Sequence, residues 1–182
     1  MKHVLFVCAL FCGMTTASAQ SAYFKQSLQL GVGFASTLGY AGNYKSTPAV
    51  SLSYEHMLPF QTGPGRIGVG AIVAFQSEKY DGGIAGYESK WNNSLFALRG
   101  TWHLEKYLPE NLDVYGAAQL GLRFEKNKFK LSGETAERTD KNTRVHAGLL
   151  VGARYFFHRN FAAFSEVGYD LAVIKVGIAA RF

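Results

Sequence analysis

The stretch that decides the fold is Leu171-Ala-Val-Ile-Lys-Val-Gly-Ile-Ala-Ala-Arg-Phe182. Taken two residues at a time, it separates into two faces. Ile174, Val176, Ile178, Ala180 and Phe182 share one; Lys175, Gly177, Ala179 and Arg181 share the other. Successive Cβ atoms of a β-strand point to opposite sides, so a period of two marks a strand with two unlike surroundings. The first face is wholly apolar. The second carries glycine, alanine and single cations, too small and too sparsely charged for a wall facing water, but suited to a crowded interior. A soluble β-sandwich has the opposite arrangement, apolar inside and polar outside.

Working back along the chain, the same alternation recurs. It predicts strands over roughly 25–35, 47–56, 66–77, 92–104, 111–124, 143–156 and 161–169, with 171–182 the eighth. In 66–77, Ile67, Val69, Ala71, Val73 and Phe75 oppose Arg66, Gly68, Gly70, Ala74 and Gln76. In 143–156, Val145, Leu149, Val151 and Tyr155 oppose Arg144, His146, Gly148, Gly152 and Arg154. Segments of about ten residues suit a tilted strand crossing a bilayer and exceed the usual soluble strand of about five or six. Backbone groups in lipid find no water, so such a sheet must close. The links alternate in length: 36–47, 77–91 and 125–142 are long and polar, while 57–65, 105–110 and 157–160 are shorter. A fourth outer link is tight, around Tyr169-Asp170-Leu171. Long outer loops and short periplasmic turns are the habit of outer-membrane barrels. The expectation is an all-β, closed, eight-stranded antiparallel up-and-down transmembrane β-barrel over residues 20–182.

Residues 1–19 stand apart. Lys2 and His3 precede an apolar run from Val4 to Met14, and Ala17-Ser18-Ala19 offers a small-residue cleavage site before Gln20. That is the layout of a secretory signal peptide, and the run is too short to span about 30 Å of hydrocarbon as a helix. Both cysteines, Cys8 and Cys12, lie within it, so the remainder has no disulfide or thiolate chemistry. The formal net charge is +6, from 19 Lys+Arg against 13 Asp+Glu. Without Lys2 the balance is 18 to 13, a bias too mild to indicate nucleic acid.

The C-terminal strand, with Phe182 last and Ile174, Val176, Ile178 and Ala180 at alternate positions before it, resembles the terminal strand of outer-membrane barrels. So do Gly152-Ala-Arg-Tyr-Phe-Phe157, Glu166-Val-Gly-Tyr169 and Arg99-Gly-Thr-Trp-His103. The chain is similar to small eight-stranded barrels of the OmpX and OmpA type and to the Bacteroidetes-like outer membrane protein beta-barrel domain. The resemblance implies residence in the bacterial outer membrane among lipid and lipopolysaccharide. It also implies that Ile174, Val176, Ile178, Ala180 and Phe182 form the signal read by the barrel-assembly machinery. It implies no cofactor and fixes no activity.

The inward charges are the candidate site. Glu55, Asp113 and Glu166 can meet Arg99, Arg123, Arg154, Lys175 and Arg181 in a lumen that eight strands leave just wide enough for side chains. Glu166 is expected to pair with Arg154 or Lys175. Such a network would hold the lumen closed. A narrow channel or transporter lined by the same residues is the alternative, and five cations against three carboxylates would then favour anions. Among the histidines, His56, His103, His146 and His158 lack metal-ligand spacing. A lipid A acyl hydrolase would need a nucleophile and base together; His146 with Thr143 is the nearest arrangement, and it faces the lumen. Gly63-Pro-Gly-Arg-Ile-Gly68 spells a dinucleotide motif but precedes a strand instead of joining a strand to a helix. Lys126, Lys128, Lys130 and Lys141, in the third outer link, are candidate contacts for lipopolysaccharide phosphates. The role this supports is non-enzymatic: structural, or surface interaction through the outer loops.

Overall fold

A computed structural model describes residues 25–37, 44–81, 87–131 and 138–182. The expected signal peptide over 1–19 and its cleavage site lie outside the described residues. The described chain forms nine strands: β1 (Gln26–Ser36), β2 (Tyr44–Ser46), β3 (Ala49–Thr62), β4 (Gly65–Asp81), β5 (Tyr87–Leu104), β6 (Leu112–Leu131), β7 (Arg138–His158), β8 (Phe161–Tyr169) and β9 (Ala172–Arg181). They follow the order β2-β4-β3-β1-β9-β8-β7-β6-β5, and β5 pairs back with β4. That last pairing closes the sheet. The three-residue β2 pairs with β4 just above the point where β3 leaves it, so eight strands circle the barrel. Every pairing is antiparallel.

The alternation sorts residues as the two surroundings require. Leu98, Leu120, Val145, Leu149 and Val151 are exposed on the outer wall at 61–76 %. Their strand neighbours Ala97, Arg99, Gln119, Leu150 and Arg154 are buried inside. The first and last described residues, Lys25 and Phe182, lie with the turns at 63–64, 105–111 and 159–160, which makes this the periplasmic end by the loop-length rule. The hairpin at 63–64 is tight because Gly63 takes a φ of 62°, and Pro64 follows with its own fixed φ. Inside, Gly152 is needed for close approach: a Cβ there would lie 2.5 Å from Tyr115 Cζ.

The rim is uneven. β5, β6 and β7 have 18, 20 and 21 residues, whereas β8 and β9 have 9 and 10. This corrects the long links expected at 77–91 and 125–142. β4 continues to Asp81, β5 begins at Tyr87, β6 runs to Leu131 and β7 starts at Arg138. The added turns of strand stand above the apolar band, where outward positions change from Leu and Phe to Lys, Ser and Asn. The sequence contrast fades there although the pairing continues. The link expected at 57–65 also shrinks, because β3 resumes its pairing at Gln61 after an irregularity beyond Met57. On the low side, the β8–β9 turn dips into the mouth. Asp170, Leu171 and Ala172 are each 1 % exposed, and Leu171 joins Ala49, Ile72, Ala74, Leu95, Ala97 and Ala172 in an interior apolar cluster.

Candidate functional site

The lumen is crossed by charged side chains from seven strands, each aimed inward by the two-residue period. Nearest the periplasmic end is a closed ring. Arg154 on β7 donates to Glu55 Oε2 at 2.6 Å and to Asp113 Oδ2 at 3.2 Å. His103 on β5 spans the same two carboxylates, with Nδ1 2.8 Å from Asp113 and Nε2 3.0 Å from Glu55. Both ring nitrogens thus face acceptors, an arrangement satisfied when both carry protons. Ser27 and Thr101 add hydroxyl donors to Glu55.

A second cluster lies above it. Arg99 and Lys175 both pair with Glu166, Lys175 at 3.2 Å. Lys175 also reaches Asp170 Oδ2 at 2.9 Å, and Gln119 donates to Asp170 Oδ1 at 2.7 Å. His146 Nε2 is 3.3 Å from Asp170 Oδ1 but outside hydrogen-bonding geometry. Tyr115 links the two clusters. Its hydroxyl donates to Glu166 at 2.7 Å, its ring stacks on His103 at 5.1 Å, and the Arg154 guanidinium lies 4.5 Å above it. Near the outer rim, Arg123 pairs with Glu125 at 2.5 Å, and Arg144 lies 3.1 Å from the same carboxylate.

The central residues are deeply enclosed: Arg154, Tyr115 and Glu166 are each 1 % exposed. Burying a charge costs several kcal/mol unless it is paired and its remaining hydrogen-bonding capacity is used. Glu55, Asp113, Glu166 and Asp170 stand against Arg99, Arg154, Lys175 and His103, so the set is balanced when His103 is protonated.

Of the residues expected to meet in the lumen, the structure brings together Glu55, Asp113 and Arg154, and separately Arg99, Glu166 and Lys175. Glu166 pairs with Lys175 and Arg99; Arg154 is taken by Glu55 and Asp113 instead. Arg123 belongs to the rim pair. Arg181 departs from the expectation. At the end of β9 it lies on the periplasmic rim, donates to the Arg159 carbonyl at 2.6 Å and covers the Phe156 ring at 3.8 Å. His103, Tyr115 and Asp170 join the network as well; the two-residue period turns His103 and Tyr115 inward, and nothing else in the sequence marks them.

Thr101, His103 and Asp113 stand in the order of a nucleophile, base and orienter, with Thr101 Oγ1 3.1 Å from His103 Nε2. Glu55 occupies both the hydroxyl and Nε2, and Thr101 and His103 are 5 % and 2 % exposed, so no substrate reaches them.

A family model described as the outer membrane protein beta-barrel domain matches residues 5–178. The chain belongs to that family. Its fold is also that of a solved barrel in this class. Ail, the attachment invasion locus protein of Yersinia pestis, in complex with the heparin analogue sucrose octasulfate, aligns with a TM-score of 0.50 at 16 % identity, covering 86 % of this chain and 95 % of that one. The N-terminal β-barrel domain of Pseudomonas aeruginosa OprF aligns with a TM-score of 0.44 at 15 % identity, covering 88 % and 100 %. No curated protein matches the chain.

The outer wall of this outer-membrane barrel carries one further arrangement. Lys45 pairs in register with Lys79, Lys79 with Lys90, and Lys90 with Lys128. Just below, Lys126 faces Lys141. All take the outward parity of Phe75, Phe96 and Phe124. The row sits roughly 10 Å above those aromatics, from about 3.3 Å of rise per residue on a tilted strand. Lys130 is opposite Glu88 in register; its side chain lies outside the described residues.

Proposed function

We propose that the protein is a non-enzymatic, closed barrel exported by its 1–19 segment, and that it acts through its outer surface by holding anionic groups. The observation that carries this reading is the lysine row. Like charges directly opposite on neighbouring strands repel, so the pairing of Lys79 with Lys90 on the outer wall, flanked in register by Lys45 and Lys128, favours anionic groups beside it. Their height suits the phosphates of lipopolysaccharide, with Lys126 and Lys141 completing the patch and Lys130 beside it in sequence. Ail, which shares the fold, was solved with a polysulfated sugar, an analogy of fold and not of residues. The ion-paired interior supports closure, since a conducting path would have to part Arg99 from Glu166 or Arg154 from Glu55.

Two measurements test the reading. In planar bilayers the purified barrel is expected to give no steady unit conductance; regular steps would replace the closed barrel with a channel. Binding to vesicles containing lipopolysaccharide should weaken steeply with salt, and the triple variant Lys79→Gln, Lys90→Gln, Lys128→Gln should lose at least tenfold. Unchanged binding by the triple variant would remove the lysine row as the binding surface.

A further inference from the structure

Among the described residues, the buried carboxylates of the lumen have cations within ion-pair distance, with one exception. Glu55 has Arg154 and His103, Asp113 the same two, Glu166 has Arg99 and Lys175, Asp170 has Lys175, and Glu125 has Arg123 and Arg144. Glu78, only 2 % exposed, has none. Its Oε1 accepts from Ser36 Oγ at 2.7 Å and Ser46 Oγ at 2.8 Å, and its Oε2 has no partner. Buried carboxylates are ordinarily paired with a cation.

A second observation lies on the neighbouring strand. Asn93 faces the lumen 1 % exposed, and both its amide oxygen and its amide nitrogen lack partners. Its register partner is Gln76, two residues from Glu78 on the same face of β4. Gln76 Oε1 lies 3.5 Å from the same Ser36 hydroxyl. Carboxylate, amide and hydroxyl oxygens therefore converge on one region of the upper lumen, with one formal negative charge between them. Hard oxygen donors of this kind suit hard cations. A single carboxylate balances a single positive charge.

We propose that Glu78, with Asn93, Gln76, Ser36 and Ser46, forms a binding site for a small monovalent cation, an alkali ion or ammonium, in the extracellular half of the lumen. The cation supplies the charge that Arg or Lys supplies elsewhere in the barrel. Occupation ties β1, β2, β4 and β5 together in the extracellular half of the wall. The proposal is independent of the lysine row, which faces the opposite side of the wall.

The test is thermal unfolding of the full barrel in detergent, read by its mobility shift on gels. Sodium, potassium or ammonium chloride is titrated against choline chloride at constant ionic strength. Wild type is expected to show a saturable rise in midpoint with the small cations, as a ligand of the folded state requires. Glu78→Gln, nearly isosteric, should lose that rise and melt at or above wild type in choline. Broadening of the ²³Na resonance by wild type, removed by excess potassium and absent in Glu78→Gln, is the second readout, usable at temperatures where every variant is folded. Equal midpoints in sodium and choline, together with an unbroadened sodium resonance, would mean that water alone fills the region and would overturn the proposal. A response that survives Glu78→Gln would overturn it as well.

Discussion

The two halves of the lumen solve the same problem differently. In the periplasmic half, Glu55, Asp113, Arg154 and His103 close a ring in which each carboxylate meets two cations and each cation two carboxylates. In the extracellular half, Glu78 and Asn93 are as deeply buried but retain unpartnered atoms. The difference follows from what surrounds each half. The periplasmic half is packed by side chains from strands on all sides, and Tyr115 is wedged among them. The extracellular half rises above the short β8 and β9, so fewer strands contribute partners there. Among the described residues, the side chains of this half leave Glu78 Oε2 and both amide atoms of Asn93 without partners.

The comparison can be broken most severely at Arg154. Replacing it with Met leaves Glu55 and Asp113 buried with His103 as the one remaining cation of the ring. Arg154→Met is therefore expected to lower stability by about 3–5 kcal/mol, the cost of stranding one side of a buried pair. Urea unfolding from lipid vesicles measures it. A loss below 1 kcal/mol would mean that the ring does not hold the periplasmic half together.

A second, smaller effect is steric. Gly152 lets Tyr115 lie against β7, with no room for a side chain between them. Gly152→Val should push Tyr115 away from Glu166 and Arg154 and cost about 1–3 kcal/mol, as overpacking does. Tyr115→Phe separates the two contributions. It keeps the ring but removes the hydroxyl bond to Glu166, and a net loss of about 1 kcal/mol is expected. If Gly152→Val costs no more than Tyr115→Phe, close packing at this point is not limiting.

The barrel itself was legible because lipid and lumen make opposite demands on adjacent residues. Ile174-Lys175-Val176-Gly177-Ile178 states both demands within five residues. The partners inside were less legible. Alternation fixes which way Arg99 and Arg154 point, but not which layer each reaches. That depends on strand stagger, so Glu166 acquired Arg99 and Arg154 went to Glu55. The tall rim was hidden for a different reason. In Glu88-Ser-Lys-Trp-Asn-Asn-Ser94 both faces are polar, and the period of two loses its contrast once the outer side leaves the hydrocarbon. Asp170 reads as an ordinary turn residue, because nothing local indicates that its turn is sunk into the mouth.

The smallest effect sharpens the comparison most, because it asks whether the two halves treat a buried amide differently. Gln29, in the periplasmic half, donates to Ser53 Oγ at 3.0 Å and its amide oxygen accepts from the Arg154 guanidinium at 2.7 Å. Gln29→Leu leaves those groups unpaired and should cost about 1–3 kcal/mol in any salt. Asn93 has no protein partner to strand, so Asn93→Leu in choline chloride should stay within about 0.5 kcal/mol of wild type or stabilise, since an apolar residue of similar size replaces an unsatisfied amide. In sodium chloride the same variant should fall behind wild type, because the amide oxygen then has a ligand to lose. Equal penalties in both salts would show that Asn93 bonds to the protein itself. The two halves of the lumen would then differ in composition but not in how completely they are satisfied.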